Sequence, residues 1–140
     1  LQKALGNLEM AIDESGAKIS HDQLPQVAGD FYQLELVFEY LIGNAVKFRK
    51  RDLPPRIHIS VQRRKGRWLF CVKDNGIGIE PRFHDRIFQL FQRLHTFEEY
   101  PGTGSGLSFC KKIINRHGGG IWVESVPDKG ASFCFDLPAG

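Results

Sequence analysis

Apolar residues recur along this chain with two different periods. Leu1, Leu5, Leu8, Ala11 and Ile12 fall at helical spacing, which predicts a helix over residues 1–15 ended by Gly16. The stretches "AKISH" and "QVAG" read as short extended pieces around Pro25. Asp30 followed by Gln33 has the form of a capping box. Leu34, Val37, Phe38, Leu41, Ile42, Ala45 and Phe48 then trace the buried stripe of a long second helix that stops before Pro54 and Pro55. After the prolines the period changes to two. "RIHISVQR" and "RWLFCVKD" have strand character and are joined at Gly66, a hairpin whose second strand ends at Asp74. A glycine turn, a short helix after Pro81 and a loop over 92–103 follow, then a helix from Ser105 to His117 terminated by Gly118–Gly120. "IWVESV" and "ASFCFDL", linked through Pro127-Asp128-Lys129-Gly130, close the chain as a second hairpin. Helices interleaved with hairpins predict an α+β two-layer sandwich: a mixed, mostly antiparallel sheet covered on one face by helices, the other face partly open.

At 140 residues, with 41% apolar and 25% charged side chains, the chain has the size of one domain with a core. A net charge of +3 is mild, and the basic clusters Arg49-Lys50-Arg51 and Arg63-Arg64-Lys65 fall at a helix end and a hairpin tip, so nucleic acid is not expected as a partner. Cys71, Cys110 and Cys134 are odd in number and lie in apolar runs without metal spacing, which predicts reduced core thiols in a cytoplasmic protein. No apolar run has membrane-spanning length, so no direct membrane contact is expected. The start at Leu1 suggests a piece of a longer protein.

The chemistry concentrates in two glycine-rich turns and one helix edge. In "YPGTGSGLSFCKK", Gly102, Gly104 and Gly106 free the backbone to present N–H donors at the start of a helix, which suits phosphate oxygens. Leu107 and Ser108 stand where a P-loop requires Lys and Ser or Thr, so the loop is of another kind. In "DNGIGIEP" the first residue, Asp74, is a carboxylate at a strand end, suited to accept from the exocyclic amine of adenine and to reject the carbonyl of guanine. Tyr40, Asn44 and Lys47 share one edge of the long helix. There Asn44 offers a hard oxygen to magnesium and Lys47 a point charge to phosphate. Each residue taken alone has an ordinary alternative: a helix-surface amide, a solvated charge, a turn residue. Their order and spacing favour the nucleotide.

"LIGNAVKF", "KDNGIGIEP", "IFQLFQRL", "PGTGSGLS" and "HGGGIWVES" together resemble the N, G1, F, G2 and G3 boxes of the catalytic, ATP-binding domain of sensor histidine kinases, from about Gly16 to Pro138. The run "FQRLHTFEEYPGTG" is most similar to phytochrome-type kinases. The resemblance implies the Bergerat sandwich over residues 16–140, with residues 1–15 continuing from a dimerisation domain. It implies ATP and Mg2+ as cofactors, Asp74 accepting from adenine, Asn44 holding magnesium and Lys47 meeting phosphate. Gly76 and Gly78 would shape the pocket; Gly102, Thr103, Gly104, Ser105, Gly106 and Leu107 would form the lid and helix start. Ser132 matches a small hydroxyl residue beside adenine, and Arg93 an arginine that approaches the phosphates. Phe88 and Phe91 match residues that anchor the lid, though core packing is the favoured explanation for them.

Two departures stand out. Tyr40 replaces the asparagine common in this family and the water-activating glutamate of related ATPases, which disfavours hydrolysis and removes a support of the magnesium ligand. Ser105 replaces a branched apolar residue and is suited to capping the helix. "ISHDQLP" places His21 near an acid and a proline, but the spacing and extended setting make it an ordinary surface residue, so the phosphoaccepting histidine is expected on the dimerisation domain. The expected function is therefore donation of the ATP γ-phosphoryl to that histidine, with a response regulator downstream and a homodimeric parent protein; the isolated chain would be a monomer. An anti-sigma-type serine kinase, or a degenerate nucleotide-binding or protein-interaction module, are the alternatives.

Overall fold

The computed structural model describes residues 1–27, 29–47, 53–77, 106–125 and 130–139. The long apolar stripe becomes helix α3, Phe31–Lys47, with Val37, Leu41 and Ile42 fully buried. Asp30 caps it as expected, its Oδ1 accepting from Gln33 N–H at 3.0 Å. The reciprocal half of the capping box is taken by a distant residue. The Asp30 N–H donates to His117 Nε2 at 3.0 Å, so the ring, not Gln33, satisfies that donor. The predicted first helix is interrupted: α1, Gln2–Asn7, and α2, Glu9–Ser15, meet at Leu8. Gly6 and Asn7, both poor helix formers, precede the break. Gly16, at φ 71°, ends α2 in the left-handed conformation. Both helices lie on α3; Ala4 is fully buried, and its N–H donates to Glu35 Oε2 at 2.8 Å.

Among the described residues five strands form one sheet: β1 Lys18–His21, β2 Arg56–Arg64, β3 Arg67–Asp74, β4 Ile121–Ser125 and β5 Ala131–Pro138, in the order β1-β2-β3-β5-β4. Of these, β1 and β2 run parallel and the other pairs are antiparallel. The β2–β3 hairpin turns through Lys65 (φ 51°) and Gly66 (φ 73°), a two-residue turn with both positions left-handed, whose twist matches that of the strands it joins. Of "QVAG", residues 26, 27 and 29 form no strand.

Alternation along the strands separates two faces. Ile57, Ile59, Phe70, Val72, Phe133 and Phe135 are buried under the helices. Phe70 and Phe135 stack at 5.0 Å, and Phe38 of α3 meets Phe135 edge-on at 5.6 Å. Ser60, Cys71, Cys134 and Trp122 form one cross-strand row on the opposite face.

That row overturns one expectation. Cys71 and Cys134 are direct partners across β3 and β5 and are joined as a disulfide, so only Cys110 is a free, buried thiol. Two apolar runs give no hint of the bond, because it depends on the register between strands 63 positions apart.

Helix α4, Gly106–Arg116, packs on α3 and ends through Gly118, at φ 80°. The His117 ring binds Ile113 O at 2.7 Å through Nδ1 and Asp30 N–H through Nε2, which fixes the proton on Nδ1 and ties the end of α4 to the start of α3.

Candidate functional site

The site is built where β3 ends. Pairing with Ile57, a buried residue, puts Asp74 on the helix-covered face of the sheet. Its Oδ1 accepts from Gly76 N–H at 2.8 Å and from Ala131 N–H at 3.3 Å. Burial raises the Asp74 pKa above the ordinary carboxyl value, against the opposing pull of these two amides. The outcome is a half-buried acid with one oxygen anchored to backbone. Among the described residues, no hydrogen bond reaches Oδ2. Such a carboxylate suits a further hydrogen-bond donor.

Backbone geometry holds this corner in place. Gly130, at φ 93°, runs so close to Asp74 that an added Cβ would stand 2.1 Å from its carbonyl oxygen. Asn75 secures the other side, accepting Arg56 N–H at 2.8 Å and donating to Pro54 O at 3.3 Å. The turn after β3 is thereby fastened to the segment that leads from α3 into β2.

Topology brings the helix residues to the same end. Lys47 ends α3 shortly before Pro54, which Asn75 holds beside Asp74. Tyr40, Asn44 and Lys47 lie at intervals of four and three along one side of α3; Tyr40 is 36% exposed, Asn44 half-buried and Lys47 exposed. The bond between His117 and Asp30 joins the end of α4 to the start of α3, and the two helices pack on each other, so they run antiparallel and Gly106 and Leu107 lie toward the end carrying Asn44 and Lys47. Gly76, Gly106 and Leu107 therefore lie among the described residues, Gly76 directly on the carboxylate. Gly78, Arg93, Gly102, Thr103, Gly104 and Ser105, with Phe88 and Phe91, lie outside the described residues.

Ser132 does not join the group. It pairs with Lys73 and Glu124, both exposed, and so belongs to the outward row of β5, while Asp74 lies on the inner face. The residue that reaches Asp74 is its neighbour Ala131, through a backbone N–H that side-chain reasoning could not weigh. In the sequence Gly130 reads only as a turn residue, and Asn75 only as part of the glycine turn.

A nucleotide could use this arrangement in two zones: a carboxylate for a base amine, and a helix edge with amide and ammonium beside a helix start for phosphates and a cation. Among the described residues no cluster of His, Cys, Asp or Glu could hold a metal by itself. Asn44 supplies one hard oxygen, which fits a magnesium ion that takes its other ligands from phosphates and water. An apolar cavity lined by Leu24, Leu34, Phe38, Phe70 and Leu137 lies toward the other end of β3 and belongs to the core.

A family model described as "Histidine kinase-, DNA gyrase B-, and HSP90-like ATPase" matches residues 29–140. Cyanobacterial phytochrome A of Nostoc sp. is 56% identical over 140 residues, which cover 100% of this chain and 18% of that protein. Phytochrome-like protein Cph1 of Synechocystis sp. is 51% identical over 140 residues, 100% of this chain and 19% of that one. The chain thus spans less than a fifth of these relatives. Among solved structures, the catalytic domain of histidine kinase ThkA superposes with TM-score 0.82 at 26% identity, covering 99% of this chain and 89% of that one. Full-length ShkA in complex with AMPPNP gives TM-score 0.81 at 27% identity, covering 98% of this chain and 28% of that one.

Proposed function

The chain belongs to the histidine kinase-, DNA gyrase B- and HSP90-like ATPase family, and from that membership we propose that it is the ATP-binding catalytic domain of a phytochrome-like sensor histidine kinase. It binds ATP and donates the γ-phosphoryl to a histidine on a separate dimerisation domain, to which residues 1–15 lead. The observation that carries this reading is the Asp74 corner: a half-buried carboxylate held through Oδ1 by two backbone amides, at the end of the sheet toward which α3 brings Asn44 and Lys47.

In this reading Asp74 accepts from the adenine amine, and a guanine carbonyl at the same place would set acceptor against acceptor. Asn44 holds magnesium through its amide oxygen; Lys47 and the α4 start, Gly106 and Leu107, face the phosphates, joined by Gly78, Arg93, Gly102, Thr103, Gly104 and Ser105. Magnesium, when bound, would neutralise charge on the phosphates; positioning and electrostatics then carry the transfer, and no residue of this chain need act as a base. Partners are the dimerisation domain and a response regulator, within a cytoplasmic region of a homodimeric parent. Among the described residues no helix is long and apolar enough to cross a membrane.

Tyr40 favours a second reading, nucleotide binding without transfer, because it stands one turn before the proposed magnesium ligand. Titration calorimetry with a non-hydrolysable ATP analogue and Mg2+, followed by phosphotransfer to an isolated dimerisation domain, separates the two. Transfer giving an acid-labile, base-stable phosphate supports the kinase. Saturable binding with no transfer leaves the second reading, and no binding defeats both.

A further inference from the structure

We infer that Cys71 and Cys134 are a reversible thiol–disulfide couple that controls how firmly the β3–β5 corner of the nucleotide site is held. The inference rests on the nucleotide reading for what is regulated, and on the sheet for where the control acts.

The two cysteines face each other in register and are joined in the structure. In a domain proposed for a reducing compartment, a disulfide that persisted as a passive staple would be out of place; those found there are mostly transient and redox-sensing. The pair has the access such a role requires. Cys71 is only half-buried, on the sheet face turned away from the helices, whereas Cys134 is 1% exposed behind it. Cys110 provides the contrast: it is a fully buried residue of α4, and burial pushes its thiol up to about 12, so it stays protonated and inert.

The chemistry balances with a small-molecule disulfide of the glutathione class as oxidant. The Cys71 thiolate attacks one sulfur, forming a mixed disulfide and releasing one thiol. The Cys134 thiolate then displaces the second, closing the protein disulfide. Two protein thiols are oxidised, one external disulfide is reduced to two thiols, and a dithiol reverses the sequence.

Position links the bond to the site. Cys71 precedes Asp74 by three residues and Cys134 follows Ala131 by three, on strands paired continuously between Lys73↔Ser132 and the cysteines. The contact that depends on these strands staying together is Ala131 N–H to Asp74 Oδ1, at 3.3 Å the longer of the two anchors on the carboxylate. A covalent tie three rungs away suppresses fraying of this end; reduction releases it. The oxidised form therefore binds nucleotide more tightly. Trp122, directly across from Cys134, reports the state, because a disulfide beside an indole quenches its emission.

The test uses the chain equilibrated with glutathione disulfide or with dithiothreitol. Intact mass and peptide mapping of alkylated wild-type protein assign the bond without any variant. Calorimetry with the non-hydrolysable ATP analogue and Mg2+ measures affinity in each state. Expected are a Cys71–Cys134 bond in the oxidised sample, brighter tryptophan emission on reduction, and affinity higher in the oxidised form by about fivefold or more, the lower end of couplings between separate sites. Cys110→Ser should respond as wild type does, and Cys71→Ser should bind equally under both conditions. Failure of the bond to form, or affinity equal or higher after reduction, overturns the inference and leaves the nucleotide reading standing. Absence of binding in both states overturns the nucleotide reading and the coupling together.

Discussion

Gly130 and Asp74 touch through their backbones: a Cβ on Gly130 would come within 2.1 Å of the Asp74 carbonyl oxygen, and the glycine sits at φ 93°. The same turn delivers the Ala131 N–H to the Asp74 carboxylate. Neither strand can move away without losing the ladder between them. Gly130→Ala is therefore expected to cost about 3 kcal/mol, the upper end of ordinary single substitutions, and to abolish nucleotide binding. Gly66→Ala is the control. Gly66 also has positive φ, at 73°, but faces open space, so the alanine there should cost only the left-handed penalty of about 1–2 kcal/mol and leave binding intact. Urea midpoints and calorimetry on the two variants measure both effects.

Asp74 should make the unliganded domain less stable as pH rises. Burial raises its folded pKa above 3.8, so between that value and the raised one the native chain holds a proton the unfolded chain has released. The Asp74 contribution to stability is greatest below this window and is lost as pH passes upward through it. Asp74→Asn removes the buried charge, and the variant should unfold at higher urea than wild type near neutral pH. Nucleotide affinity should move the opposite way, falling roughly 5- to 150-fold for a lost hydrogen-bond acceptor of about 1–3 kcal/mol. A variant that is both stabler and still binds at wild-type affinity would remove Asp74 from the site.

Asp136 has the opposite sign. Burial alone would raise its pKa, but hydrogen bonds from Arg67 at 3.1 and 3.2 Å, the Gly120 N–H at 2.8 Å and the charge of Arg67 hold it below the ordinary value on balance. Its stabilisation is present above pH 3.8 and disappears as pH falls through the depressed pKa. Arg67→Ala should cost about 1 kcal/mol at neutral pH, because both groups are partly solvated, and should flatten this acid limb. Acid titrations of Asp74→Asn and Arg67→Ala, followed by circular dichroism, resolve the two carboxylates by the direction in which each variant departs from wild type.

Features that depend on neighbours in sequence are legible in the sequence itself. The Arg56–Asp74 hairpin follows from strand alternation around a tip whose glycine tolerates positive φ, and α3 follows from a stripe bounded by Asp30 and two prolines. Asp74 could be placed at a strand end because the alternation stops there. What escaped depends on register or on backbone. The resemblance implies Ser132 beside adenine, yet a single position in β5 decides the face, and Ala131 occupies the inner one. The pairing of Cys71 with Cys134 requires knowing that β5 inserts beside β3, which no local pattern states. The bond from Asp30 to His117 spans 87 positions and competes with a local capping box that looked complete.

Tyr40 supplies the sharpest functional test of the helix edge. It lies one turn before Asn44 on α3 and is 36% exposed; the resemblance to sensor histidine kinases implies an asparagine at this position. An asparagine there can hydrogen-bond the Asn44 side chain across one helical turn and keep its oxygen directed at the ion, whereas a phenol presents a longer side chain with a single hydroxyl. Outer groups that orient a metal ligand commonly change affinity 10- to 100-fold, so Tyr40→Asn is expected to tighten Mg2+-dependent binding of the ATP analogue by roughly tenfold. Binding measured without magnesium should change little, since the adenine corner at Asp74 is untouched. Tyr40→Phe, which removes only the hydroxyl, should resemble wild type. Equal gains with and without magnesium would mean that residue 40 acts through helix packing, and Asn44 would lose its assignment as the metal ligand.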